Sequence, residues 1–114
     1  MRSERLYLVD MTEAADAIAI FIASHDRASF LADYQLRSAV VFQLIIIGEA
    51  ADHVSPELRA RNAHVEWQKA TGLRHYAAHG YFALDWNIIW DTAIGDVPPL
   101  RAQIEDILTH EYSG

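Results

Sequence analysis

Val40-Val41-Phe42-Gln43-Leu44-Ile45-Ile46-Ile47 is the stretch on which the fold class turns. Its β-branched residues favour a buried strand. Its length does not. The apolar segment runs from about Phe30 to Val54 without a turn signal, Gly48 being its one breaker, whereas a buried strand spans only about four to eight residues. The segment reads as helix. A helix that is apolar all round must be covered on every side, so this one is expected at the centre of a bundle or in a subunit interface. Gln43 and Glu49 are then expected as buried polar groups satisfied by neighbours, in preference to a catalytic carboxylate at Glu49.

Helical periodicity extends in both directions. Leu8, Met11, Ala15, Ile18 and Ile22 step by threes and fours, one seam of a helix from about Ser3 to Ser24. Polar residues His25 to Ser29 separate it from the long segment. On the other side, Pro56 opens a short turn-like piece, Ser55 to Arg61. Asn62 is expected to cap a third helix with Glu66 in its first turn, running to about Ala78 and stopping near Gly80. Asp85 can cap a fourth helix, Trp86 to Ile94, ended by Gly95. Asp96 and Pro98-Pro99 suit the start of a fifth, whose buried face is Leu100, Ile104, Ile107 and Leu108. The expected fold is all-α: an antiparallel four- to five-helix bundle with short connections, in a single domain spanning residues 1–114.

Composition narrows the chemistry. Hydrophobic residues make up 52% of the 114, enough for a real core, which excludes a disordered tail. With no cysteine, disulfides, thiolate nucleophiles and thiolate metal sites are excluded. The net charge of −7 argues against a nucleic-acid binder held by bulk charge. No secretory leader or membrane span is evident, so a cytoplasmic protein with no membrane association is expected. The charge is uneven, however. Residues 58–81 carry Arg59, Arg61, Lys69 and Arg74 against Glu66 alone, a window of +3, while residues 1–57 and 82–114 are each −5.

That window holds the densest polar-aromatic segment, Gly72-Leu73-Arg74-His75-Tyr76-Ala77-Ala78-His79-Gly80-Tyr81-Phe82. The plain reading of its aromatics, and of Trp67, Trp86 and Trp90, is packing. Arg74-x4-His79 can do more. An RNA strand carries its own nucleophile, the 2′-OH beside the scissile phosphate. A histidine that titrates near neutrality can move the protons, and a fork-shaped, always cationic arginine can stabilise the pentacoordinate phosphate. The spacing alone is weak, because Arg59 and His64 repeat it. On an ideal helix a separation of five residues leaves the two side chains about 140° apart. They converge only if the helix ends or bends near His79-Gly80, or if two subunits contribute complementary halves. His75-x3-His79 is a competing metal-compatible pair, but it has no obvious third ligand. His25, His53 and His110 read as isolated and solvent-facing.

At this segment the sequence resembles the HepT family of toxins, within the HEPN group of small helical ribonucleases. Arg74-x4-His79-x-Tyr81 matches that family's R-x4-H-x-Y signature, with Phe82 and Asp85 following. Ile47-Gly48-Glu49-Ala50 is similar to its mid-chain IGEA, and Trp67 and Trp90 to its two tryptophans. Asp96-Val97-Pro98-Pro99-Leu100 is similar to the start of its last helix. The extended pattern selects Arg74 and His79 over Arg59 and His64. Two positions depart from it: His75 stands where Asn or Asp is usual, and Ala77 where leucine is frequent.

The resemblance implies a HEPN-like homodimer with the Arg74 and His79 sites of both subunits at a shared cleft. It implies a metal-independent endoribonuclease acting on tRNA or mRNA, with no cofactor and with His75 as a supporting residue. It further implies a minimal nucleotidyltransferase antitoxin of the MntA type as partner, which transfers AMP from ATP onto the tyrosine matching Tyr81. Adenylate there would add bulk and negative charge at the mouth of the site and so repel an RNA phosphate. The alternative is a non-catalytic helical dimer that only binds the nucleotidyltransferase. A third possibility, a bundle holding metal through His75 and His79, predicts metal in the purified protein.

Overall fold

Asp33 divides the long apolar segment in two. The computed structural model of the chain describes residues 2–79 and 83–112, with Ala78 and His79 given by their backbone alone. Before Asp33 lies a short helix, α2 (Arg27–Ala32), and after it the long helix α3 (Tyr34–Asp52). Asp33 is extended, and its carboxylate accepts from the Leu36 N–H at 2.9 Å. Asp26 does the same for α2, accepting from Ser29 N–H at 2.8 Å, while Ser29 Oγ accepts from Asp26 N–H in a capping box. The expected helix from Phe30 therefore starts four residues late. An aspartate that satisfies orphan N–H groups outweighs the continuity of the apolar run.

α1 (Glu4–Ile22), with Ser3 as N-cap, buries Leu8, Met11, Ala15 and Ile18, the seam that its spacing predicts. Ser55 to Arg61 is more than a turn. Ser55 caps a true helix, α4 (Pro56–Arg61), with proline at its first position. Asn62 does not open the third helix but closes α4, its Nδ2 donating to Leu58 O at 3.0 Å and to Glu111 at 2.9 Å. The third long helix, α5 (Trp67–His79), starts later than expected, at Trp67, whose Nε1 donates back to Asn62 O at 3.0 Å.

The last expected break is also absent. α6 (Trp86–Asp91), capped by Asp85, passes through a π-helical turn, Thr92–Asp96, directly into α7 (Val97–Tyr112). Pro98 and Pro99 have no N–H to offer, so a regular α-helix would leave carbonyls unsatisfied one turn earlier. The widened turn accommodates them, with Val97 N–H reaching Thr92 O, five residues back. α7 buries Ile104 and Ile107, with Leu100 and Leu108 packed partly against the core.

α3 lies between α1 and α5, and α7 covers α1. Glu4 bonds Ser55, and Tyr7 meets His53, so α1 and α3 run antiparallel. Phe30 is fully buried against Trp90 and Trp86 and ties α2 to α6. The described residues contain helices and no strand, and the all-α bundle stands. None of these helices is long and apolar enough to cross a membrane.

Candidate active site

Gly48 brings the candidate site together. A Cβ placed on it would sit 2.4 Å from Arg74 N and 2.6 Å from Arg74 Cβ. No real side chain tolerates such contacts, so α3 and α5 touch here because residue 48 has none. A glycine inside a helix costs about 1 kcal/mol relative to alanine, and close backbone approach is what it allows in return. Ala51 on α3 and Ala70 and Ala77 on α5 are buried nearby in sequence and keep both helix surfaces low.

The next residue holds the other end of the arginine. Arg74 Nη1 donates to Glu49 Oε2 at 2.7 Å. The two side chains are 42% and 50% exposed, so the expectation that Glu49 is a buried polar group is overturned. Helical phase is the reason. Leu36, Val40, Leu44, Ile47 and Ala51 form the buried face of α3, and Glu49 lies two residues from each of the last two, on the opposite side. Gln43 is half-buried and Phe42 is 60% exposed, so α3 is not covered all round within one chain. The hydrogen bond from Arg74, foremost, holds the Glu49 carboxyl below the ordinary glutamate range. Partial desolvation opposes that shift, and His53 adds to it. The same bond raises the Arg74 guanidinium further.

His53, expected to be isolated, is not. Its Nε2 lies 3.4 Å from Glu49 Oε1, and its ring stacks on Tyr7 with centroids 4.6 Å apart and planes 7° from parallel. The Arg2 guanidinium lies 4.9 Å from the Tyr7 centroid. A cleft of about 210 Å³ opens between Tyr7 and Asp10 of α1 and Ile45, Ile46 and Glu49 of α3, with His53 just past its end. Sequence reasoning missed this chain of contacts. Gly48 was its one visible sign, as a helix breaker retained in a helix.

The second Arg-x4-His pair has a different fate. Arg59 Nη2 donates to Ala51 O at 2.6 Å and Nε to Val54 O at 3.2 Å, and its guanidinium packs 6.0 Å from the Trp67 ring centroid. It closes the C-terminal end of α3, where carbonyls lack helical partners. The other cations of the +3 window are paired as well: Arg61 with Glu111 at 2.8 Å, and Lys69 with Asp96 at 3.3 Å. The acidic flanks fold back onto the basic window, which is therefore no bare cationic patch.

Among the other predicted site residues, His75 is exposed on α5 beside Arg74. His79 ends α5, with its side chain outside what the structure describes, and Tyr81 lies outside the described residues. α5 runs from Trp67 to His79, its last residue, and the direction of the His79 side chain relative to Arg74 lies outside the described residues. Tyr76 OH accepts from Asp85 N–H at 3.1 Å and links α5 to the start of α6. Among the described residues, no three His, Asp or Glu side chains gather as a metal-binding group.

Comparison with known proteins completes the description. The chain is 31% identical over 104 residues to "Putative RNase MJ1380" of Methanocaldococcus jannaschii, covering 91% of this chain and 95% of that one. It is 31% identical over 111 residues to "Putative RNase TTE0752" of Caldanaerobacter subterraneus, covering 97% and 99%. It is 30% identical over 106 residues to "Probable ribonuclease HepT" of Thermococcus cleftensis, covering 93% and 96%. No solved structure matches. The sequence profile described as "Ribonuclease HepT-like" matches residues 11–113, nearly the whole bundle, and the chain belongs to the HepT-like ribonuclease family.

Proposed function

We propose that this chain is the ribonuclease toxin of a toxin–antitoxin pair, a single-domain, cytoplasmic, metal-independent endoribonuclease that cuts tRNA or mRNA with Arg74 and His79. The observation that carries this reading is the position of Arg74. It stands at the α3–α5 crossing with its backbone against Gly48 and its guanidinium half exposed, where a phosphate can reach it. His79 takes the proton from the 2′-OH, and the freed oxygen attacks phosphorus. The 5′-oxygen leaves with a proton returned by an imidazolium, giving a 2′,3′-cyclic phosphate and a 5′-hydroxyl. Arg74 holds the non-bridging oxygens as charge builds on them. His75, on the same exposed turn, supports the RNA.

Two copies of the chain complete the site. On an ideal helix the five-residue separation between Arg74 and His79 turns through about 140°. One subunit therefore supplies its arginine where the other supplies its histidine. The face for the second copy is on α3. Exposed Phe42 and the half-buried Ile45 and Ile46 form an apolar stripe that leads along the helix to Glu49, the partner of Arg74. A minimal nucleotidyltransferase antitoxin of the MntA type silences the pair. The Tyr81 oxygen attacks the α-phosphorus of ATP, loses its proton and releases pyrophosphate, which leaves adenylate at the site mouth.

Purified protein should cleave RNA in the presence of a chelator, and Arg74→Ala or His79→Ala should abolish this. Equal cleavage by both variants and the parent would sink the assignment. Tight antitoxin binding with no cleavage by the parent would favour the non-catalytic dimer.

A further inference from the structure

We infer that Glu49 is a positioning residue for Arg74, holding its guanidinium in register for the scissile phosphate from the helix turn that also seats its backbone. The inference rests on the ribonuclease reading and deepens it. Arginine is long and rotamer-rich, and fixing it for transition-state contact requires restraint at both ends. Adjacent residues of α3 supply both restraints. Gly48 admits the Arg74 backbone, with Arg74 N only 2.4 Å from where a Cβ would stand. Glu49 takes one guanidinium N–H at 2.7 Å and leaves other donors of the fork for phosphate oxygens.

Glu49 is itself braced. His53 lies 3.4 Å from its second oxygen, and Tyr7 holds the His53 ring flat at 4.6 Å. Stability is a poor explanation for the pair, because an exposed ion pair contributes little to folding. A carboxylate beside an RNA phosphate also weakens ground-state binding by repulsion. That sign is what separates positioning from binding: loss of Glu49 should slow turnover while leaving substrate binding unchanged or tighter.

The test is steady-state cleavage of a short RNA by the full-length parent, Glu49→Ala, Glu49→Gln and Arg74→Ala, with side-chain NMR of the Arg74 Nε–Hε group. Glu49→Ala should lower kcat by about 10- to 100-fold without raising KM. It should also move the Arg74 signal to that of a freely rotating guanidinium. Glu49→Gln keeps an acceptor oxygen, so it should recover most of kcat, with KM below the parent's. A Glu49→Ala protein with parental kcat and an unchanged Arg74 signal overturns the inference. A raised KM at unchanged kcat does so too, because Glu49 would then serve binding. If Glu49→Ala fails to fold, the Glu49→Gln shift in KM and the Arg74 signal decide alone. Arg74→Ala separates the two levels: cleavage equal to the parent's removes the ribonuclease reading itself, whereas an inactive Arg74→Ala beside a fully active Glu49→Ala removes only the role of Glu49.

Discussion

Arg59 and Arg74 each stand five residues ahead of a histidine and each reaches α3 with its side chain, and the bundle uses them in opposite ways. Arg59 turns inward to backbone carbonyls at the end of α3 and lies against Trp67. Arg74 turns outward to one carboxylate and keeps its charge near solvent. Both are cations with identical spacing. The difference lies in what faces them. Two backbone carbonyls, Ala51 O and Val54 O, each claim a donor of Arg59, whereas Glu49 claims one donor of Arg74. Motif spacing identifies candidates, and the helix end or helix crossing opposite each one decides which is available for chemistry.

The largest expected effect breaks the comparison open at the chemistry. Arg74→Ala should lose at least about 10²-fold in cleavage, the scale for removing one transition-state stabiliser, with the fold intact by circular dichroism. His79→Ala should match it, while His64→Ala cuts RNA at the parental rate. Loss of cleavage in His64→Ala would transfer the site to the other pair. Next is Gly48→Ala, which pushes a methyl into the Arg74 backbone. Overpacking of this kind costs about 1–3 kcal/mol, and the displaced α5 should lose cleavage as well as stability in denaturant titration.

Arg59→Ala should also cost about 1–3 kcal/mol, because it removes the side-chain donors to Ala51 O and Val54 O, but each folded molecule should cleave as fast as the parent. The contrast with Arg74→Ala is then complete: stability without chemistry against chemistry without stability. The smallest effect is in titration. Arg74 holds Glu49 below its unfolded value of about 4.3. The stability this adds is fully present above that pH and is lost as pH falls through the lower folded value. Carboxyl NMR should find the Glu49 midpoint depressed in the parent and in Arg59→Ala, and restored toward 4.3 in Arg74→Ala.

Much of this was legible in the residues. The α1 seam and the α7 face follow from three-and-four spacing, and length alone turned the Val40–Ile47 stretch from strand to helix. Local electrostatics was harder to read. Asp33 sits inside an apolar run, and only the N–H groups it satisfies make it a boundary. Glu49 was hidden differently. So many apolar residues surround it that composition suggested burial, although its phase against Ile47 and Ala51 already placed it outward. The charge windows were correct as sums, but a sum along the chain cannot tell that Glu111, Asp96 and Glu49 return in space to the cations between them. Spacing supplied two candidate pairs, and only the resemblance chose Arg74 and His79 between them.

The π turn at Thr92–Asp96 has a consequence for how this sequence can change. It lodges one residue more than an α-helix needs, so it acts as an indexing step between α6 and α7. Deleting a single residue there would give a smoother helix from Trp86 onward, yet it would rotate everything after it by about 100° about the axis. Ile104 and Ile107 would swing out of the core and Arg101 away from Asp16. The irregular turn is where the rotational setting of the last helix is kept, and a repair of its hydrogen-bond ladder would unpack the bundle.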